Sequence, residues 1–225
     1  MPPSDDTRTS NTLTAYAALR QLIMSGDLAG GSNHLESELA DRLGMSRTPV
    51  REAALMLKAG GLLDIRPRKG VHILSLSVAD MRDVYDVLTE LESLAARKAA
   101  ERNLTSADLH GLAQAIDDMD KALASEDRTA WAEADDRFHR ELVRLGENRR
   151  VETIVSMMSD QVHRARLMTL FVRPLPVKSN QDHRAVLDAI TQGDAEAAGR
   201  LHRAHRIRAG RELTGLLRKI DQPGP

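Results

Sequence analysis

The stretch Leu39-Ala40-Asp41-Arg42-Leu43-Gly44-Met45-Ser46-Arg47-Thr48-Pro49-Val50-Arg51-Glu52-Ala53 decides how the N-terminal part of the chain folds. Leu35, Leu39 and Leu43 share one face of a short helix over about Glu36–Leu43, and Gly44 stands where a left-handed cap is expected. Ser46 and Thr48 offer N-cap hydroxyls and Pro49 suits a first helical turn, so a second helix starts there and stops at Gly60-Gly61. Leu35, Leu39, Leu43, Val50, Ala54 and Leu57 are the expected core that clamps the two helices. Ser46, Arg47, Thr48 and Arg51 are then left at the exposed N-terminal end of the second.

Upstream, Leu13, Leu19, Leu22 and Ile23 recur at helical spacing, which predicts a helix from about Thr12 to Ser25, ended by Gly26, Gly30 and Gly31. The polar residues 1–11 read as a disordered tail. Downstream, the apolar runs Leu62–Arg66 and Val71–Leu74 flank Pro67-Arg68-Lys69-Gly70 and read as a hairpin. Helix, helix, turn, helix, hairpin is the order of a winged helix-turn-helix, expected over residues 12–76.

Net charge over the 225 residues is only −1, yet residues 42–69 hold seven Lys/Arg (Arg42, Arg47, Arg51, Lys58, Arg66, Arg68, Lys69) against two acids, Glu52 and Asp64. A basic stripe in a near-neutral chain is the footprint of a phosphate-contacting face, although charge alone fits a solvated helix surface equally well. A helix N-terminus suits phosphate, Arg47 and Arg51 can fork onto guanine O6 and N7, and Arg68 and Lys69 can reach an adjacent groove or backbone.

At these residues the sequence resembles the GntR family of bacterial regulators. The resemblance runs through Leu39–Ala53, Gly60-Gly61-Leu62-Leu63 and the wing Pro67-Arg68-Lys69-Gly70-Val71, which adds Gly70 to the expected DNA-binding set. Ser37 stands where some members carry a further arginine. The resemblance implies a partner, double-stranded DNA with a short inverted-repeat operator, and a homodimer to read it.

Aromatic residues make up 2% of the chain and cysteine is absent. The core must therefore come from Leu, Ala, Val, Ile and Met, which favours helix, while disulfides, thiolate metal sites and cysteine nucleophiles are excluded. No run is long and apolar enough for a signal peptide or membrane span, so the expected location is the cytoplasm. From Val78 onward the pattern is helical, with segments Val78–Arg102, Ser106–Ser125, Arg128–Leu145, Arg149–Phe171, Val177–Gln192 and Asp194–Ile220. The expected fold is mainly α, the winged helix-turn-helix being followed at residues 77–221 by an antiparallel all-helical bundle.

Four bundle residues have ligand chemistry. Asp135 and His139 are i, i+4 on one helix face, His183 opens a later helix, and His205 lies inside the last. One carboxylate and three imidazoles suit a borderline divalent ion such as zinc, nickel, manganese or iron(II). Taken singly, each histidine reads more readily as a surface or structural residue. Asp135-Asp136-Arg137-Phe138-His139, Gly146-Glu147-Asn148, Ser179-Asn180-Gln181-Asp182-His183 and Gly193-Asp194 through His205 resemble the FCD effector domain of FadR-type GntR regulators. That resemblance implies that Asp135, His139, His183 and His205 are the metal ligands, and leaves Asp136, His163 and His202 unassigned. It also implies a small organic acid effector. Leu88 occupies a position where many members carry an arginine that grips the effector's carboxylate. Leu88 and Arg164 are therefore named as the expected effector pocket, with Arg166 a further cation, and the ligand is expected to turn an apolar end toward Leu88.

These readings converge on a ligand-responsive transcription regulator, a repressor, with zinc the expected ion and no catalytic residues. A metal-sensing regulator is the alternative. A metal-dependent hydrolase is the other, for which the sequence offers no general acid or base beyond the ligands.

Overall fold

The computed structural model describes residues 5–221. Contacts divide the chain between Leu76 and Ser77 into two compact units. In the first, α1 (Asp5–Met24), α2 (Glu36–Leu43) and α3 (Arg47–Ala59) pack with three short strands, β1 (Asn33–His34), β2 (Leu63–Arg66) and β3 (Gly70–Ile73). The strands form an antiparallel sheet in the order β1-β3-β2, with Leu63 opposite Ile73 and Asn33 opposite His72. Leu19, Ile23, Leu39, Val50, Leu57, Leu63, Val71 and Ile73 meet in its core.

Three expectations change here. The helix α1 begins at Asp5, so residues 5–11, read as disordered tail, are helical; no glycine or proline interrupts that run. Residues 1–4 of the expected tail lie outside the described residues. Leu35, expected in the core, is 49% exposed. It is the N-cap of α2, where its backbone N–H donates to Glu38 Oε2 at 2.9 Å, and the apolar face of α2 begins only at Leu39. The strand β1 went unread. It is two residues long and pairs because Gly70, at φ +76°, lets β3 approach; a Cβ there would lie 2.3 Å from the His34 carbonyl oxygen. Gly44 is the left-handed cap of α2, at φ +62°.

The second unit is built from α4 (Val78–Glu101), α5 (His110–Ala124), α6 (Arg128–Leu145), α7 (Arg149–Thr169), α8 (Val177–Thr191) and α9 (Ala195–Asp221). Its main pairings are α4 with α9, α5 with α6 and α8 with α9. Among the described residues four starts carry side-chain caps: Ser77 accepts from Asp80 N, Asp127 from Ala130 N, Asn148 from Arg150 N and Val151 N, and Asp194 from Ala197 N. The helix α5 starts at His110 rather than Ser106. Asp108 there accepts from both the backbone and the hydroxyl of Thr105, which closes a separate turn ahead of the helix. Alanine and leucine dominate the core, with Trp131 and Phe138 as its large members. Trp131 Nε1 donates to Asn180 Oδ1 at 2.8 Å, tying α6 to α8.

Candidate DNA-reading surface and metal centre

At the start of α3, Ser46 is the N-cap in extended conformation, and its hydroxyl makes no capping bond. Arg47, Thr48 and Arg51 are exposed, and the i, i+4 spacing puts both guanidinium groups on one face. Arg47 has one loose contact, 3.9 Å to Glu36 Oε2 on α2, which an exposed pair gives up at little cost. Arg68 and Lys69 are exposed between β2 and β3, Arg68 in the left-handed region at φ +64°. The basic stripe is uneven: Lys58 sits 2.8 Å from Asp64, whose carboxyl the lysine holds below its ordinary range. Gly70 is placed by its backbone, since β3 cannot meet β1 with a side chain there.

In the bundle, the structure brings Asp135 and His139 of α6, His183 of α8 and His205 of α9 together, all buried. The Nε2 atoms of His183 and His205 are 3.1 Å apart. Asp135 Oδ1 lies 3.8 Å from His139 Nε2 and 3.7 Å from His183 Nε2, and the three imidazoles offer nitrogens within 4.8 Å of one another. His139 Nε2 has no hydrogen-bond partner among the described residues. Such separations suit ligands about 2.0–2.2 Å from a shared ion.

Electrostatics favour the ligand form. Burial and the neighbouring imidazoles hold His183 well below 6.5, and burial holds His205 at about 3. Burial pushes the Asp135 carboxyl up, but Arg166 and the imidazoles outweigh it, so it stays ionised below its ordinary value. Neutral imidazoles and an ionised carboxylate are the states a divalent ion requires. The donor set therefore fits the group.

A buried outer layer holds these candidate ligands, and sequence reasoning missed most of it. His139 Nδ1 donates to Glu92 Oε2 at 2.8 Å, which leaves Nε2 as the acceptor. The same oxygen is 2.9 Å from His202 Nε2, and Glu92 Oε1 is 3.4 Å from Arg206. Glu92, His139 and His202 also group as potential ligands, but both contacts to the carboxylate are hydrogen bonds, so we read this set as support for His139. Arg166 Nη1 takes Asp135 Oδ2 at 2.8 Å, leaving Oδ1 to the imidazoles. Asp182 Oδ2 is 3.4 Å from His205 Nδ1 and also pairs with Arg208. Asp136 pairs instead with Arg140, at 2.8 Å. The one sequence signal for Glu92 was an acid on the apolar face of α4, four residues from Leu88.

A cavity of about 20 Å³, room for about one water, lies against this cluster and is lined by Tyr85, Trp131, Asp135, Arg166, Arg173 and His205, among others. Leu88 and Arg164 do not line it: Leu88 is packed in the bundle at 1% exposure, and Arg164 is buried on α7.

A winged helix-turn-helix with exposed arginines at the start of its third helix, followed by a helical bundle with a buried cluster that could hold a metal ion, defines a DNA-binding regulator. Residues 11–73 match the model of the bacterial regulatory proteins of the gntR family, and residues 83–208 match the FCD domain. The chain belongs to the GntR family of transcriptional regulators with a C-terminal FCD domain. It is 40% identical, over 57% of its length and 77% of the relative's, to an HTH-type transcriptional regulator from the TAR-I ttuE-ttuC' intergenic region of Agrobacterium vitis. Against the HTH-type transcriptional repressor RspR of Escherichia coli K12 it is 27% identical, over 92% of this chain and 89% of that one. The E. coli McbR/YncC structure shares the fold, with a TM-score of 0.76 at 21% identity over 94% and 99% of the two chains. These relatives are regulators, not enzymes. Among the described residues, no helix is long and apolar enough to cross a membrane.

Proposed function

We propose that this regulator is a cytoplasmic repressor that binds a short inverted-repeat operator as a homodimer and responds to a small organic acid at a divalent ion. Arg47 and Arg51 read guanines, Ser46 and Thr48 position the helix on phosphate, and Arg68 and Lys69 hold the backbone from the wing. Asp135, His139, His183 and His205 hold the ion, with zinc first among zinc, nickel, manganese and iron(II). One observation carries this reading: an ionised carboxylate and buried imidazoles converge beside a cavity with arginines in its wall. The repressor reading is supported by RspR, which carries that name.

The bound ion would supply a Lewis-acidic point for an oxyanion. This chain's residues do the rest. Glu92 and Asp182 orient two of the imidazoles, Arg166 keeps Asp135 charged, and Trp131 and Tyr85 form part of the cavity wall. DNA affinity then changes only by as much as the ligand prefers one arrangement of the protein over another.

The test is elemental analysis of protein purified without added metal, followed by operator binding with and without chelator and a panel of organic acids. Protein that is metal-free and gains no thermal stability from zinc, nickel or manganese defeats the reading. Light scattering coupled to sizing checks the dimer, and a stable monomer contradicts it. The small cavity favours a second reading, in which the metal itself is the signal. Metal titration that switches operator binding with no acid present would decide for it.

A further inference from the structure

The position on α4 where an effector-gripping arginine was expected holds Leu88, packed away from the cavity. A cation reaches the cavity from another element. Arg173, in the connection between α7 and α8, lines it together with Asp135 and His205. Its Nε and Nη2 atoms are buried and meet no hydrogen-bond partner among the described residues. The guanidinium lies 4.9 Å from the centre of the Trp131 ring. Burial lowers its pKa, and the pull of Asp135 does not make up for it. Arg166 lines the same cavity but is already matched, with Nη1 on Asp135. The wall therefore holds one arginine paired with Asp135 and one whose Nε and Nη2 donors meet no partner among the described residues.

A guanidinium is a rigid fork suited to a two-oxygen anion, and buried donors left unmatched are costly. Aromatic contact with Trp131 positions the group without satisfying its N–H atoms. We infer that Arg173 is the anion-gripping residue of the effector site, and that the effector is a small acid with two oxyanion ends, one for the metal centre and one for Arg173. The inference rests on the metal-and-acid reading above. It replaces the expected ligand with an apolar end near Leu88, because the cation stands in the cavity wall and Leu88 does not. At about 20 Å³ the cavity is closed to such a ligand, so entry requires its wall to move. Arg128 Nη1 donates to the carbonyls of Leu170 at 3.1 Å and Arg173 at 2.8 Å, tethering the segment that would swing.

The experiment is calorimetry on the zinc-loaded protein with matched pairs, succinate against butyrate and malate against lactate. It is repeated in Arg173→Gln and Arg173→Lys, with zinc content and melting temperature measured in each. The native protein should prefer the dicarboxylate. Arg173→Gln should lose about ten- to a hundredfold of that affinity, as expected for a charged hydrogen-bonding group. Monocarboxylate binding and zinc content should stay unchanged, and Arg173→Lys should recover part of the loss. A purely structural latch on Trp131 would weaken both acids of a pair equally, and that result overturns the inference. Equal dicarboxylate affinity in native protein and Arg173→Gln overturns it too, as does a native preference for the monocarboxylate; in these cases the metal-and-acid reading survives. Protein that holds no zinc, or holds zinc and binds no acid of either kind, overturns both.

Discussion

Glu92 reaches from α4 to α6 and accepts the Nδ1 proton of His139 at 2.8 Å, so the imidazole can turn only its Nε2 toward Asp135. The carboxylate is 2% exposed. Burial alone would push its pKa up, but Arg206, His139 and His202 outweigh that and hold it well below 4.5. An ionised outer carboxylate both fixes the tautomer and makes the ligating nitrogen more basic. Glu92→Gln keeps the shape and removes the charge. Metal affinity should fall about 10- to 100-fold, read by competition with a chromophoric chelator. An unchanged affinity would show that Glu92 does not position His139 for metal.

Asp135 joins the candidate metal centre to Arg166. Both side chains are buried, 2% and 7% exposed, with 2.8 Å between Asp135 Oδ2 and Arg166 Nη1. Removing one member of such a pair leaves an uncompensated charge and costs about 3–5 kcal/mol. Asp135→Asn should therefore lower the stability of chelator-treated protein as well as weaken metal binding. Adding Arg166→Met should restore part of the stability and none of the binding. Denaturant unfolding in the presence of chelator measures the first, elemental analysis the second. A fully stable Asp135→Asn protein would mean that Arg166 finds another partner.

How much of this was legible in the sequence depended on whether the signal was local. Gly44, Ser46 to Pro49, Gly60-Gly61 and Pro67 to Gly70 mark element ends within a few residues of one another, so α2, α3 and the β2–β3 hairpin could be read directly. The i, i+4 pair Asp135 and His139 was visible for the same reason. Glu92 and Arg173 were not, and Arg166 was legible only as a further cation: a charge reads as solvated until partners from other elements surround it. Leu88 is named as a pocket residue through family resemblance; the α4 residue that lines the cavity is Tyr85, one turn earlier, together with residues of α6, α7, α8, α9 and the α7–α8 connection. The strand β1 depends on the approach of β3, which no local pattern encodes.

Two left-handed glycines in the DNA-binding unit should respond differently to alanine. A Cβ on Gly44 meets nothing within 4 Å, so Gly44→Ala costs only the backbone conformation, about 1–2 kcal/mol. At Gly70 the same strain is joined by an approach of 2.3 Å to a backbone oxygen, which cannot yield without parting β1 from β3. Gly70→Ala should therefore destabilise this unit more than Gly44→Ala and raise hydrogen exchange at the Ile73 amide, which donates to the Ser32 carbonyl beside β1. Equal melting of the two variants would argue against the β1–β3 contact as described.

The basic residues of the first unit should divide into three kinds by DNA-binding assay. Arg51 is exposed on the first turns of α3, where a guanidinium forked onto guanine is worth about 1–3 kcal/mol of discrimination. Arg51→Ala should thus cost tens-fold or more in operator affinity and little on unrelated DNA, and Arg47→Ala should behave alike once its weak hold on Glu36 is lost. Arg68→Ala should weaken binding to every sequence about equally and reduce the slope of log affinity against log salt by about one, as loss of a phosphate contact does. Lys58→Ala should do neither, because Asp64 already takes its charge at 2.8 Å. Fluorescence anisotropy on operator and scrambled duplexes across a salt series separates these outcomes. An Arg51→Ala protein that keeps full selectivity, or a Lys58→Ala protein that loses it, would overturn the docking of α3 proposed here.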